Sequence, residues 1–235
     1  LKLPSSAITH GPLLLAAAKS GLPIILSTGM STLDEIEDAL GVIAFGLEGR
    51  DNPSLRAFRS SDKSILADKV TLLHCTTEYP APISEINLNA MQTLSNSFAL
   101  PVGYSDHTKG INISIAAAAL GATVIEKHFT LNRRMAGPDH SASLEPQEFS
   151  NMVAGIRDVE LALGSVEKRP SQSELINIVS VRPSLVAACS IRSGEQYSEQ
   201  NLAIKRPGGG LSPMAWWDHL GQIASRDYLK DDLLE

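Results

Sequence analysis

The chain is short of cysteine, of excess positive charge and of long apolar runs, and each shortage closes off a class of protein. Only Cys75 and Cys189 occur among its 235 residues. They lie far apart in unlike surroundings, which argues against a disulfide scaffold or a thiolate zinc site and suits a reducing cytoplasm. Lys and Arg number 20 against 26 Asp and Glu, a net charge of −6. That balance gives no support to nucleic acid or an anionic membrane as a partner, since either favours a basic face. The best apolar run, Ile113 to Ile125, is broken by Gly121 and falls short of the ~18 residues that a membrane helix needs. No signal peptide is expected. The opening, Leu1-Lys2-Leu3-Pro4, reads as the interior of a longer polypeptide. What remains is 43% hydrophobic and 20% charged, with 17 Gly and 13 Pro, an ordinary folded composition. Its length suits one or two domains of ~100–200 residues.

Four segments share one grammar, an apolar β-branched run that ends abruptly in polar groups and then a helix-like pattern. They read PIILSTG from Pro23, VTLLHCTTEYP from Val70, LPVGYSDH from Leu100 and ATVIEKHF from Ala122, and a fifth is expected from Leu1. Amphipathic stretches run between them, from Thr32, Ile113 and Pro146. Ser31 or Thr32, followed by Asp34 and Glu35, marks a helix start, and Gly46, Gly121 and Gly164 suit helix exits. Near-continuous apolar strands alternating with helices predict parallel β/α units buried on both faces. In each unit the chemically capable side chains fall at the strand's C-terminal end: Ser27 and Thr28, His74 to Thr77, Ser105 to His107, Glu126 to His128. Active sites of TIM barrels lie there, and those of doubly wound sheets do too, so the pattern favours a barrel without separating the two. Residues 166–178, polar and charged with a breaker at Pro170, read as a linker. It divides residues 1–165 from a small compact domain at 179–235 with little regular structure. Glu48–Lys69 reads as a surface excursion.

His107 and His128 form the sharpest pair. Each ends a predicted strand, and the intervening sequence spans one helix and one strand, so adjacent barrel strands would bring both imidazoles to one rim. Two neutral imidazoles suit Mn²⁺, Fe²⁺, Co²⁺ or Zn²⁺, with water or substrate completing the shell. Two separate hydrogen-bonded histidines are the alternative. Asp106 and Glu126 could orient the rings or stand as solvated loop carboxylates. His74-Cys75 reads better as a buried strand-end pair than as a nucleophile with its base. Lys2, Ser5, Ser27, Thr77 and Ser105 are strand-end donors that suit a phosphate or carboxylate, with ordinary turn residues the competing reading. Tyr79 and Asp139 could meet sugar hydroxyls or shape turns. Lys205-Arg206 precedes Pro-Gly-Gly-Gly but has no lysine after the glycines, which excludes a P-loop. The glycines let backbone approach something closely, with a surface turn the competing reading. Trp216-Trp217 reads as packing.

Seven ordered motifs carry a resemblance. They are KLPS at 2–5, ILSTGM at 25–30, LLHCTTEYP at 72–80, GYSDHT at 103–108, IEKHFT at 125–130, GPDHSASLEP at 137–146 and KRPGGG at 205–210. In this order they resemble the sialic acid synthase family, the phosphoenolpyruvate-condensing N-acylneuraminate synthases. The resemblance implies a TIM (β/α)8 barrel followed by a small antifreeze-like SAF domain of the β-clip type, in a cytoplasmic, domain-swapped homodimer. It implies condensation of phosphoenolpyruvate with an N-acetylmannosamine-type sugar and release of phosphate. The divalent metal would be Mn²⁺, with Mg²⁺ or Co²⁺ as alternatives, held by His107 and His128.

The same resemblance assigns the other positions. Lys2, Ser5, Ser27, Ser105 and Glu126 fall around phosphoenolpyruvate, Tyr79 and Asp139 near the sugar, and Arg206 is the arginine that a partner's small domain contributes. Lys2, Glu126 and Arg206 would act in catalysis. Two positions depart from the family pattern: Ala7 stands for a glutamate near the reacting atoms, and Thr77 for an asparagine, which keeps a donor. About five strands are visible, roughly strands 4–8, and five cannot close an eight-stranded barrel. The expected fold is therefore an N-terminally incomplete barrel at 1–165, inactive alone. A barrel hydrolase using a metal-bound water and a non-catalytic sugar-binding homologue are the competing functions.

Overall fold

A computed structural model describes all 235 residues, in two compact units, Leu1–Gly164 and Ser165–Glu235. In the first, five strands lie parallel in chain order: β1 (Lys2–Leu3), β2 (Ile24–Ser27), β3 (Val70–Cys75), β4 (Val102–Asp106) and β5 (Ile125–Lys127). Helices fill the connections: α1 (Gly11–Lys19), α2 (Leu33–Leu47), the short α3 (Leu55–Arg59), α4 (Ala90–Phe98) and α5 (Asn112–Ala119), with α6 (Pro146–Leu163) after β5. Parallel neighbours need such crossovers, since no tight turn can join them. A doubly wound sheet reverses its strand order at a central switch point. The order β1-β2-β3-β4-β5 contains no reversal, so the sheet grows in one direction only.

Alternation sorts each strand into two faces. The register pairs Leu3 with Leu26, Leu26 with Leu72, Leu72 with Val102 and Tyr104 with Ile125. This face packs on Leu14, Ala17, Ile36, Leu40, Ile43, Met91, Leu94 and Ala117 of the helices and forms the core. The opposite face carries Lys2, Ile25, Ser27, Leu73, Cys75, Ser105 and Glu126 in the intervening register positions. Helix α2 starts as its sequence predicts. The Thr32 hydroxyl accepts from the Glu35 N–H, and the Glu35 carboxylate accepts from the Thr32 N–H, satisfying two otherwise free donors.

Two local expectations are overturned. Gly46 does not end α2, which continues to Leu47. A Cβ there would lie 2.6 Å from the Ala18 Cβ, so its glycine serves the close approach of α1, and the left-handed exit is Gly49 at φ +67°. Nor is Glu48–Lys69 wholly superficial: it contains α3, Leu66 is fully buried, and Phe58 meets Phe45 edge-on at 5.2 Å.

The second unit contains α7 (Gln172–Val181), β6 (Ser184–Ala187), β7 (Leu202–Lys205) and a single turn, α8 (Trp216–His219). Strands β6 and β7 pair antiparallel, and isolated bridges such as Ile191–Tyr228 tie the remaining loops. Leu185, Ala187, Ile191, Tyr197, Leu202, Ala224, Tyr228 and Leu234 make its core. The stretch 166–178 expected as a linker is half helix. Ser171 and Glu174 form a reciprocal cap that starts α7 despite the polar composition. Trp216 packs against the small core, as expected of the tryptophan pair, but Trp217 is 74% exposed.

Candidate functional site

Strand register builds the site. Cys75, Ser105 and Glu126 stand in one row across β3, β4 and β5. Two residues further along each chain, past the strand ends, come Thr77, His107 and His128, on the same face by alternation. Together with Lys2, Ser5, Ser6, Ser27, Met30 and Tyr79, these residues line one cavity of about 220 Å³. Nine of the residues singled out by sequence are thus brought together: Lys2, Ser5, Ser27, Thr77, Tyr79, Ser105, Glu126, His107 and His128. Asp139 joins Tyr79, His107 and His128 around a smaller adjoining space of about 40 Å³. Arg206 belongs to the second unit, where it is exposed and forms no ion pair, whereas its neighbour Lys205 is paired with Asp231. The glycines after Arg206 approach their own unit: the Gly208 N–H donates to the Val179 carbonyl at 2.7 Å, and a Cβ there would meet three carbonyl oxygens of residues 178–182 within 3.3 Å.

The imidazoles of His107 and His128 lie 5.5 Å apart between centroids, and Tyr79 stacks 4.2 Å from His107 and edge-on to His128. One ring nitrogen of His107, Nδ1, lies 2.7 Å from the Thr76 carbonyl. A carbonyl can only accept, so the ring proton sits on Nδ1 and Nε2 keeps a free lone pair. Burial pushes the His107 pKa below its ordinary value, and the neighbouring His128 adds to that, while the Thr76 carbonyl works against it. The ring is therefore neutral near pH 7, as metal ligation requires. No group of three or more His, Cys, Asp or Glu side chains is gathered closely enough to hold an ion. The pair thus suits an ion that leaves most of its shell to substrate or water, and not a closed structural site.

The rest of the cavity gathers hydroxyl donors and one ammonium group, a donor set that an anion could use. The Ser105 hydroxyl donates to Glu126 Oε1 at 2.7 Å, and Lys2 Nζ lies 3.4 Å from Glu126 Oε2. Ser27 Oγ is buried and has no partner, a costly state that a ligand oxygen would relieve. Glu126 is the sole carboxylate in the cavity lining. Ala7 is buried and does not reach the lining, so no acid replaces the family's glutamate there. Asp106 and Glu126 do not bond the imidazoles; the backbone of Thr76 orients His107 instead.

Sequence reasoning missed Ser6, Met30 and Gly29. A Cβ on Gly29 would lie 2.4 Å from Thr77 Oγ1, 2.8 Å from Cys75 Sγ and 2.9 Å from Ser5 Oγ. Gly29 therefore lets the ends of three strands converge, which the STGM run hinted at only through its glycine. Its N–H donates to Ser5 Oγ at 2.9 Å. A larger groove of about 490 Å³ lies beyond Met30 and Cys75, lined by Thr28, His74, Asn87 and Asn89 among others. It contains no cation and neither metal-suited histidine, so size does not mark the chemistry here.

Residues 1–168 match the NeuB family and residues 182–235 the SAF domain. The chain belongs to the NeuB family. It is 51% identical over 99% of its length to an N,N'-diacetyllegionaminic acid synthase of Campylobacter jejuni, covering 65% of that protein. A crystal structure of N-acetylneuraminic acid synthetase from Leptospira borgpetersenii in complex with citrate is 36% identical. It matches with a TM-score of 0.62 over 76% of this chain and 55% of that one. A putative spore coat polysaccharide biosynthesis protein E from Chromobacterium violaceum is 26% identical, with a TM-score of 0.67 over 99% of this chain and 65% of that one. The chain thus spans about 65% of the length of the first of these relatives.

Proposed function

We propose that this NeuB-family chain carries the metal and phosphoenolpyruvate sites of a nonulosonic acid synthase, which joins phosphoenolpyruvate to an N-acetylmannosamine-type sugar and releases phosphate. The observation that carries the reading is the single cavity in which the imidazole pair adjoins Lys2, the serines and the orphaned Ser27 hydroxyl. Its five strands correspond to about strands 4–8 of a (β/α)8 barrel; the unreversed strand order supports that over a doubly wound sheet.

In the reaction, C3 of phosphoenolpyruvate bonds to the aldehyde carbon of the open-chain sugar, whose oxygen takes up a proton. Water adds at C2, and the resulting tetrahedral centre expels phosphate by C–O cleavage. A divalent ion on His107 and His128, Mn²⁺ in our reading, would supply Lewis-acid polarisation of the aldehyde oxygen. Lys2, Ser5, Ser27 and Ser105 hold the phosphate and carboxylate and offset their charge. Glu126, held between Lys2 and Ser105, is placed to exchange protons with the reacting carbons or their attached water. Tyr79 and Asp139 face the sugar. Holding both substrates together supplies much of the acceleration. Arg206, with no acidic partner of its own, would serve a second copy of the chain in a homodimer. The reduced, unpaired cysteines suit a cytoplasmic enzyme.

A barrel hydrolase with a metal-bound water would call for three or four protein ligands, and the site offers a pair. The test measures phosphate release from phosphoenolpyruvate in a protein carrying this chain, with and without sugar. Sugar-dependent release that stops on chelation, returns with Mn²⁺ and is absent from His107→Ala is the expected result. Release without sugar marks a hydrolase, and sugar binding with no release marks a non-catalytic homologue.

A further inference from the structure

The strongest unassigned feature lies on the reverse side of the same two strand ends. Asp106 and Lys127 immediately precede His107 and His128, and they are register partners on β4 and β5. Their side chains meet at 2.9 Å and are 0% and 1% exposed. Asp106 Oδ1 accepts from the Thr108 N–H and from the Thr108 hydroxyl, both at 2.8 Å. Asp106 Oδ2 accepts from the Ser114 hydroxyl of α5 at 2.5 Å and from Lys127. Lys127 also donates to the Thr108 carbonyl at 2.5 Å.

We propose that this buried knot is a positioning device which sets the spacing and orientation of His107 and His128. It rests on the reading of those histidines as a metal pair. The residues on both sides of His107, and the residue before His128, are joined through one carboxylate. A shift of either strand end by one residue would turn these charges toward the wrong face and break every bond at once. Packing alone does not call for such a pair, because well-packed apolar residues of similar volume commonly serve a protein interior as well or better. Directional bonds hold a separation that apolar packing leaves looser. The other attachments act in the same sense: the His107 carbonyl accepts from the Ala81 N–H and the His128 carbonyl from the Leu144 N–H.

Three proteins test this: the parent chain, the Asp106→Asn/Lys127→Met double variant, and Ser114→Ala, which removes one bond to the knot. Mn²⁺ affinity is read from the electron paramagnetic resonance of free Mn²⁺. The imidazole nitrogens are read from ¹⁵N spectra of histidine-labelled, metal-free protein, and folding from the thermal midpoint. The parent should show His107 fixed with its proton on Nδ1. The folded double variant should show averaged tautomers and bind Mn²⁺ about ten- to a hundredfold more weakly, the usual effect of losing an outer-shell support. Ser114→Ala should weaken binding severalfold, and it decides the matter with the same readouts if the double variant does not fold. Unchanged ring spectra and unchanged affinity in a folded variant overturn the proposal. If the parent binds no Mn²⁺, the metal reading falls, and the ring spectra alone decide whether the knot positions the histidines.

Discussion

The two faces of the five-stranded sheet solve opposite problems with alternating residues of the same short segments. In Ser105-Asp106-His107 and Glu126-Lys127-His128, the odd-one-out in each triplet turns to the helices and its neighbours turn to the cavity. On the helix side Leu26, Leu72 and Tyr104 are fully buried, and the one ion pair is fully bonded. On the cavity side Ser27, Cys75 and Ser105 are buried as well, but Ser27 Oγ is unpaired and a nitrogen of His107 is left free. Apart from the Tyr104 hydroxyl, which is buried without a partner, the helix face spends its bonding capacity on itself. The other keeps it in reserve for a ligand, which costs stability and leaves the groups already oriented.

That contrast predicts unequal responses to truncation. Leu72→Ala on the helix face should lose about 3 kcal/mol, within the ~2–5 kcal/mol range for a buried leucine. Thr71→Ala, one residue away on the opposite face and only partly buried, should lose less than ~1 kcal/mol. Urea denaturation of both variants measures the difference. Equal losses would mean that the cavity face packs against something as tightly as the helix face does.

Ser27→Ala sharpens the comparison from the other side. Its hydroxyl has no partner in the protein, so removal should leave stability unchanged or raise it by up to ~1 kcal/mol, the penalty of an unsatisfied buried group being relieved. Phosphoenolpyruvate or inorganic phosphate should bind roughly ten- to a hundredfold more weakly, the worth of one hydrogen bond to a charged ligand. Calorimetric titration reads the second effect. A destabilised variant with unchanged affinity would assign Ser27 to the structure and not to the site.

The strand ends were legible because the signal is local: each apolar run stops at the residue where the polar cluster begins, and alternation then dictates the face. The histidine pair followed from one helix-plus-strand of spacing. The cross-strand partnership of Asp106 and Lys127 was hidden, because each reads singly as a charged loop residue and only the register brings them together. Gly29 and Ser6 were missed for a related reason, since the approach of three strand ends is a property of space and not of spacing. Helix α7 was visible in the Ser171–Glu174 interval, but the charged composition around Pro170 outweighed that short cap. Gly46 looked like an exit because glycine serves both exits and close helix contacts, and only the neighbour Ala18 decides between them.

A surface ion pair provides the smallest and most discriminating case. Glu148 accepts from the Glu145 N–H at the start of α6 at 3.0 Å and from Arg133, with both charged side chains 38% exposed. The Glu145 N–H is the main cause holding the Glu148 carboxyl below its ordinary pKa, with Arg133 adding to it. A depressed carboxyl contributes stability above the unfolded value of ~4.3 and loses it as the pH falls through the folded value. Glu148→Gln should therefore cost less than ~1 kcal/mol at neutral pH, the usual scale for an exposed pair. The stability difference between parent and variant should narrow as the pH is lowered below ~4.3, and the Arg133 part should also shrink in high salt, where exposed charges are screened. Thermal melts across that pH range measure it. A difference that stays constant into acid would show that Glu148 acts through packing alone.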